Sequence, residues 1–125
     1  ADATATVIKD EGKKTVGLLG TRFTMEEDFY SGRLKYHGLD VLVPPKADRD
    51  IVHRVIYEEL CLGQIKGNSR TEFLRIMNDL REQGAEAVIE GCTEIGLLVK
   101  PEHTDVPLFD TTEIHARQAV VEALK

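Results

Sequence analysis

Cysteine is scarce in this sequence: Cys61 and Cys92 are the only two in 125 residues, and they lie far apart in dissimilar surroundings. That spacing excludes a disulfide framework and a cysteine-based metal cluster. Basic residues are in deficit, with 16 Lys and Arg against 22 Asp and Glu and a formal net charge of -6. The balance argues against a broad surface for nucleic acid or anionic membrane and leaves room only for a small anion at a local site. Long apolar runs are missing too. Stretches such as Ile95 to Val99 are far too short to cross a bilayer, and no basic segment followed by an apolar one opens the chain, so the expected location is cytoplasmic, away from membrane. The four histidines, His37, His53, His103 and His115, include no pair at metal-ligand spacing, and no metal is predicted. Neither a dinucleotide fingerprint nor a glycine-rich phosphate loop ending in Lys-Ser/Thr occurs.

What is present fits a globular chain of one lobe, residues 1–125, with 42% hydrophobic and 30% charged residues in 14.0 kDa. Thr15 to Leu19 reads as a buried strand running into the turn Gly20-Thr21. Thr24 and Glu27 have capping-box spacing, which predicts a helix start with Met25 and Phe29 on one face and Gly38 as its stop. Leu39 to Val43 is a second strand, ended by Pro44-Pro45. From Asp48 the apolar residues Ile51, Val52, Val55, Ile56 and Leu60 recur at helical spacing up to Gly63. Ser69 with Glu72 predicts another capped helix, bearing Phe73, Met77 and Leu80 and ending at Gly84. A strand over Ala87 to Ile89, a short and mostly buried helix over Ile95 to Val99, a strand over Val106 to Phe109 and a final helix opened by Asp110 and Glu113, with Ile114, Val121 and Leu124 as its apolar face, complete the order. Strands alternating with helices predict an α/β fold, a parallel sheet with helices on both faces, because parallel neighbours need crossover connections. The stretch from Lys100 to Val106 reads as a surface loop.

Ligands of such sheets collect beyond the carboxyl ends of the strands, where Gly20-Thr21 and Gly91-Cys92-Thr93 both fall. Cys92 stands between a buried strand and a helix start, a position where the helix dipole favours the reactive thiolate over a thiol of pKa about 8.5. The N–H groups after Cys92 and the Thr93 hydroxyl can hold a carboxylate. Glu94 is either an ordinary first-turn acid or a substrate contact, and Thr21 is either a turn residue or a ligand-facing one. Cys61, inside an amphipathic helix pattern, reads as a small buried hydrophobe.

Residues 88–98, Val-Ile-Glu-Gly-Cys-Thr-Glu-Ile-Gly-Leu-Leu, resemble the second cysteine signature of the aspartate/glutamate racemase family. Gly17-Leu18-Leu19-Gly20-Thr21-Arg22, Glu58-Glu59-Leu60 with Gly63, and Pro107-Leu108-Phe109-Asp110-Thr111 resemble further segments of that family, so the likeness covers nearly the whole chain. The resemblance implies two pseudo-symmetric α/β lobes with the active site between them, one cysteine from each, and racemisation of an amino acid by proton transfer without cofactor. It assigns Cys92 as one catalytic acid/base and Thr93, Glu94 and Thr21 as substrate-binding neighbours. The other lobe's Cys-Thr-Asn-Thr-like segment does not occur in these residues. This chain is therefore expected to be the carboxyl-terminal half with its C-terminal tail, inactive by itself and prone to self-associate as a homo-oligomer through the surface an amino-terminal lobe would cover. The resemblance also implies a basic residue in or near the Glu-Leu-x-x-Gly segment, as aspartate-selective relatives tend to have. Here Cys61 and Leu62 stand there, leaving Arg22 or Lys66 to grip the distal carboxylate of a small amino-acid or dicarboxylate ligand. The alternative is a non-catalytic domain that binds a small carboxylate, or a partner, on the same scaffold.

Overall fold

A computed structural model describes residues 2–124. The chain opens with helix α1 (Asp2–Asp10), which the sequence pattern does not announce, and enters strand β1 (Thr15–Leu19). Helices α2 (Arg22–Glu26) and α3 (Asp28–Tyr36) lead to β2 (Asp40–Leu42). Helix α4 (Lys46–Glu58), a 3-10 turn (Leu60–Leu62) and α5 (Gly67–Glu82) precede β3 (Ala87–Glu90). The one-turn helix α6 (Ile95–Leu98), a 3-10 turn (Pro101–His103), β4 (Leu108–Asp110) and α7 (Thr111–Ala123) follow. The four strands form a parallel sheet in the order β2-β1-β3-β4. The α/β class read from the sequence is the class observed.

Alternation along the strands divides the core in two. Val16, Leu18, Ala87, Ile89 and Phe109 face a cluster completed by Ala5 and Ile8 of α1, Leu34 of α3 and Ile114 of α7. Leu19 and Val88 face the other cluster, with Val52, Val55 and Ile56 of α4, Phe73, Met77 and Leu80 of α5, and Ile95 and Leu98 of α6. Helix α5 approaches β1 so closely that a Cβ on Gly17 would lie 2.9 Å from Cδ1 of Leu80. Asp2 fastens α1 to α3 through two bonds to Arg33, at 3.1 and 2.8 Å, and one to Nε2 of His37 at 3.0 Å. These partners, Arg33 first, hold its carboxyl down at about 2.

Several local expectations are corrected. The first helix after β1 starts at the Thr21 cap, whose hydroxyl accepts from Thr24 N at 3.4 Å, and it stops at an extended Glu27. Two helices replace the one expected because Met25 packs on the α4–α5 side while Leu34 packs on the opposite side, which one straight helix cannot do. Phe29 is exposed and shares no buried face with Met25. Ser69 caps nothing: helix α5 begins two residues earlier, and the buried Ser69 hydroxyl donates to Oε1 of Glu59 at 2.6 Å. Cys61 is exposed, because α4 ends at Glu58 and the 3-10 turn that follows points Leu60 inward and Cys61 out. The last strand begins at Leu108, after Pro107, which lacks an N–H and only accepts, from Val88 N at 2.9 Å. The Lys100 to Val106 stretch carries a 3-10 turn in which His103 Nδ1 accepts from Lys100 N at 3.0 Å. On α7, Ile114 is buried, whereas Val121 and Leu124 are exposed. Among the described residues no helix is long and apolar enough to cross a membrane.

Candidate functional site

From β1 the chain passes to β2 on one side and later returns as β3 on the other, so the sheet changes winding direction between β1 and β3. Turns leaving adjacent strands in opposite senses open a crevice at such a point. Here those turns are Gly20-Thr21 and Gly91-Cys92-Thr93. They are locked together: Gly91 N donates to Leu19 O at 2.8 Å, and a Cβ on Gly91 would sit 2.9 Å from that same carbonyl oxygen and 3.4 Å from Cγ2 of Thr24. Only glycine lets the Cys92 turn lie this close to β1.

A rim of hydroxyl groups follows from this register. Thr21 and Thr24 face each other at 3.2 Å across the first turn. Thr93 meets Thr112, at the start of α7, at 3.0 Å, and Thr111 donates to Glu90 O at 3.2 Å. The strand ends thus bring Thr21, Cys92, Thr93 and Glu94 into neighbouring turns. Thr24, Thr111 and Thr112, which the sequence reading did not assign to the site, join the same rim. Their signal was position after a strand's carboxyl end, and for Thr111 also its place in the Pro107 to Thr111 segment that resembles the family.

Cys92 is half-buried against the α4–α5 cluster and donates its thiol hydrogen to Oε2 of Glu94 at 2.8 Å. Burial pushes the thiol up to about 12, with the hydrogen bond to Glu94 adding to the shift and the exposed Cys61 contributing a smaller electrostatic push. Glu94 is moved the other way, its carboxyl lowered by the same hydrogen bond. The expectation of a dipole-activated thiolate is therefore corrected for this chain. Helix α6 is a single turn beginning at Ile95, three residues past the sulfur, and its small dipole does not offset desolvation and a neighbouring carboxylate. Cys92 rests as a thiol with an acceptor already in place.

Of the two candidate basic residues for a distal carboxylate, Arg22 follows Thr21 in the first turn and Lys66 lies apart from it. Arg22 is committed to Asp50 at 3.1 Å and to Glu26 at 3.9 Å. Its backbone N–H donates to Nδ1 of His53 at 2.9 Å, which leaves the protonated edge of a neutral His53 at Nε2. Lys66 lines a cavity of about 350 Å³ between α4 and α5 together with Arg54, Asn68 and Ser69, and that lining includes none of Thr21, Cys92, Thr93 or Glu94.

The Asp/Glu/Hydantoin racemase family model matches residues 1–119. The chain is 52% identical to a candidate Asp/Glu racemase from Yersinia pestis whose crystal structure superposes with a TM-score of 0.95, over 100% of this chain and 55% of that one. It is 39% identical to an aspartate racemase homologue from Pyrococcus horikoshii OT3, with a TM-score of 0.93 over 99% of this chain and 54% of that one. A protein from the pnlA 3' region of Pectobacterium carotovorum subsp. carotovorum is 32% identical over 114 residues, 90% of this chain and 75% of that protein. The chain thus spans about half the length of these two solved structures.

Proposed function

The chain belongs to the Asp/Glu/Hydantoin racemase family, and from that membership we propose that it supplies one of two opposed acid/base groups for inverting the α-carbon of an amino acid. Cys92 is that group. Inversion requires a proton to leave one face of the α-carbon while another arrives at the opposite face, so a second acid/base must come from outside these 125 residues. The observation that carries the reading is the Cys92–Glu94 pair at the sheet's switch point, 2.8 Å apart, in a chain of this family.

In this reading the resting thiol is the proton donor. Glu94 accepts the thiol's hydrogen bond in the free state; when Cys92 gives that proton to the α-carbon the sulfur is left as a thiolate, which is the base for the opposite direction. The hydroxyls of Thr21 and Thr93 and the N–H groups following Cys92 donate to the substrate carboxylate and stabilise the negative charge that grows on it as the α-proton leaves. No cofactor enters this scheme. Arg22, at that turn, already meets Asp50 and Glu26, so a distal carboxylate of aspartate or glutamate would have to compete with them for it.

The test is exchange of the α-proton for deuterium in aspartate, glutamate and several neutral amino acids. The 125-residue chain alone is expected to give no inversion, and robust racemisation by it would overturn the half-site reading. Co-expressed with the amino-terminal half of a longer relative, it is expected to racemise at least one of these amino acids, with Cys92→Ala abolishing the activity. An assembled complex that binds amino acids yet neither exchanges nor inverts would support the second reading, a non-catalytic carboxylate-binding domain. That alternative draws on the packing of Cys92 against the α4–α5 cluster and its hydrogen bond to Glu94, which keep the sulfur protonated.

A further inference from the structure

The side of β3 and β4 away from the Thr21 turn carries a feature the racemase reading does not use. Glu90 and Asp110 are register partners on adjacent parallel strands, so both side chains project to the same face, toward α6 and the 3-10 turn after it. Glu90 is 3% exposed, and its Oε2 is buried without a hydrogen-bond partner. An orphaned carboxylate oxygen at such depth costs folding free energy unless something meets it.

Glu90 lines a cavity of about 410 Å³. Carboxylates of Asp110, Glu102 and Glu113 also line it, against one base, Lys100, and among the described residues no ion pair joins Lys100 to any of them. The remaining walls are largely aliphatic, from Val99, Pro101 and Leu108. Among the described residues no group of three or more His, Cys, Asp or Glu is arranged to hold a metal ion. Anionic floor and aliphatic wall together match a head that donates several hydrogen bonds on a short carbon chain.

We propose that this cavity binds a primary alkylammonium group, its nitrogen against the carboxylates of Glu90 and Asp110 and its carbon chain along Val99, Pro101 and Leu108. An –NH3+ head offers three donors and a full charge, so one group can satisfy the orphaned oxygen and relieve the repulsion between paired carboxylates. Binding of this kind tightens as Glu90 ionises. Burial raises its carboxyl to about 7, with Asp110 pushing the same way and Lys100 opposing. Glu102 and Glu113 are the other charged groups facing the cavity, and His103 on the same turn is occupied with Lys100 N.

The experiment is a two-dimensional amide NMR titration of the 125-residue chain with n-butylammonium at constant ionic strength. Saturable shifts are expected at residues near 90, 96–102 and 108–113, with affinity rising about tenfold from about pH 5.5 to pH 8.5. Glu90→Gln should weaken binding by about tenfold or more, and Lys100→Ala, a change at an exposed side chain, should strengthen it. Tetramethylammonium, which has the charge but no N–H, should not saturate the site. The proposal is overturned if tetramethylammonium binds as well as n-butylammonium, if Mg2+ binds in preference to it, if Lys100→Ala leaves affinity unchanged, or if a folded Glu90→Gln chain binds like the parent.

Discussion

Sγ of Cys92 and Oε2 of Glu94 stand 2.8 Å apart, two residues along one turn, with the thiol donating and the carboxylate accepting. Glu94 thereby stabilises the protonated sulfur. Replacing it with glutamine keeps an acceptor and removes the negative charge, so the Cys92 thiol should move down from about 12. Alkylation by iodoacetamide, which needs the thiolate, is expected to be slow at Cys92 in the parent and slower than at the exposed Cys61. In Glu94→Gln, peptide mapping near neutral pH should show Cys92 reacting several-fold faster. An unchanged Cys92 rate would mean that burial alone sets its reactivity.

Gly91 is expected to tolerate no side chain. A Cβ would stand 2.9 Å from Leu19 O, a backbone atom fixed in the β1–β3 ladder that cannot swing aside. Gly91→Ala should therefore destabilise the fold by about 1–3 kcal/mol, read from denaturant midpoints at constant m-value. A neutral result would show that the turn has slack.

Ser69 separates a helix cap from a buried hydrogen bond. Its hydroxyl reaches Oε1 of Glu59 at 2.6 Å, and both residues are buried. Ser69→Ala should cost about 1–3 kcal/mol by leaving a buried carboxylate oxygen without its short donor. Asp would serve as well as Ser at a true cap but would set two carboxylates against each other here. Ser69→Asp should accordingly be worse than Ser69→Ala, a ranking thermal melts can read directly.

Glu90 links stability to pH. Its folded value of about 7 lies above the ordinary 4.5, so protonation favours the folded chain. This contribution is complete below the ordinary value and is lost as pH rises through about 7. Glu90→Gln, a neutral mimic of the protonated acid, should stabilise the chain by up to roughly 3 kcal/mol at about pH 8 and by little at about pH 5. Urea titrations at the two pH values test it; an equal effect at both would mean that Glu90 does not titrate in this window.

Much of the architecture was legible in local pattern. Helix α4 showed its buried face through Val52, Val55 and Ile56, α5 through Phe73, Met77 and Leu80, and Gly38, Gly63 and Gly84 marked turns where the backbone adopts positive φ. Capping signals were less dependable. Asp110 does cap α7, accepting from Thr112 N at 2.9 Å and Glu113 N at 3.3 Å, whereas the equally good pattern at Ser69 lies inside a helix. A hydroxyl takes the partner that is hardest to satisfy otherwise, and a buried carboxylate ten residues away outweighed a helix end that water can solvate.

Position along the chain sufficed to put Cys92, Thr93 and Thr21 at the carboxyl ends of strands, because a turn must follow each buried run and a parallel sheet aligns those turns at one edge. The state of the sulfur lay beyond that reach. Desolvation and a 2.8 Å carboxylate are three-dimensional facts, and they reverse what a helix start suggests. The pairing of Glu90 with Asp110 is of the same kind: twenty residues separate them in sequence, and only the β3–β4 register sets the buried Glu90 carboxyl beside the half-buried Asp110. Sequence periodicity chooses elements and faces, since it reports which side chains avoid water; proton affinity depends on what each group meets there, and that is decided by packing.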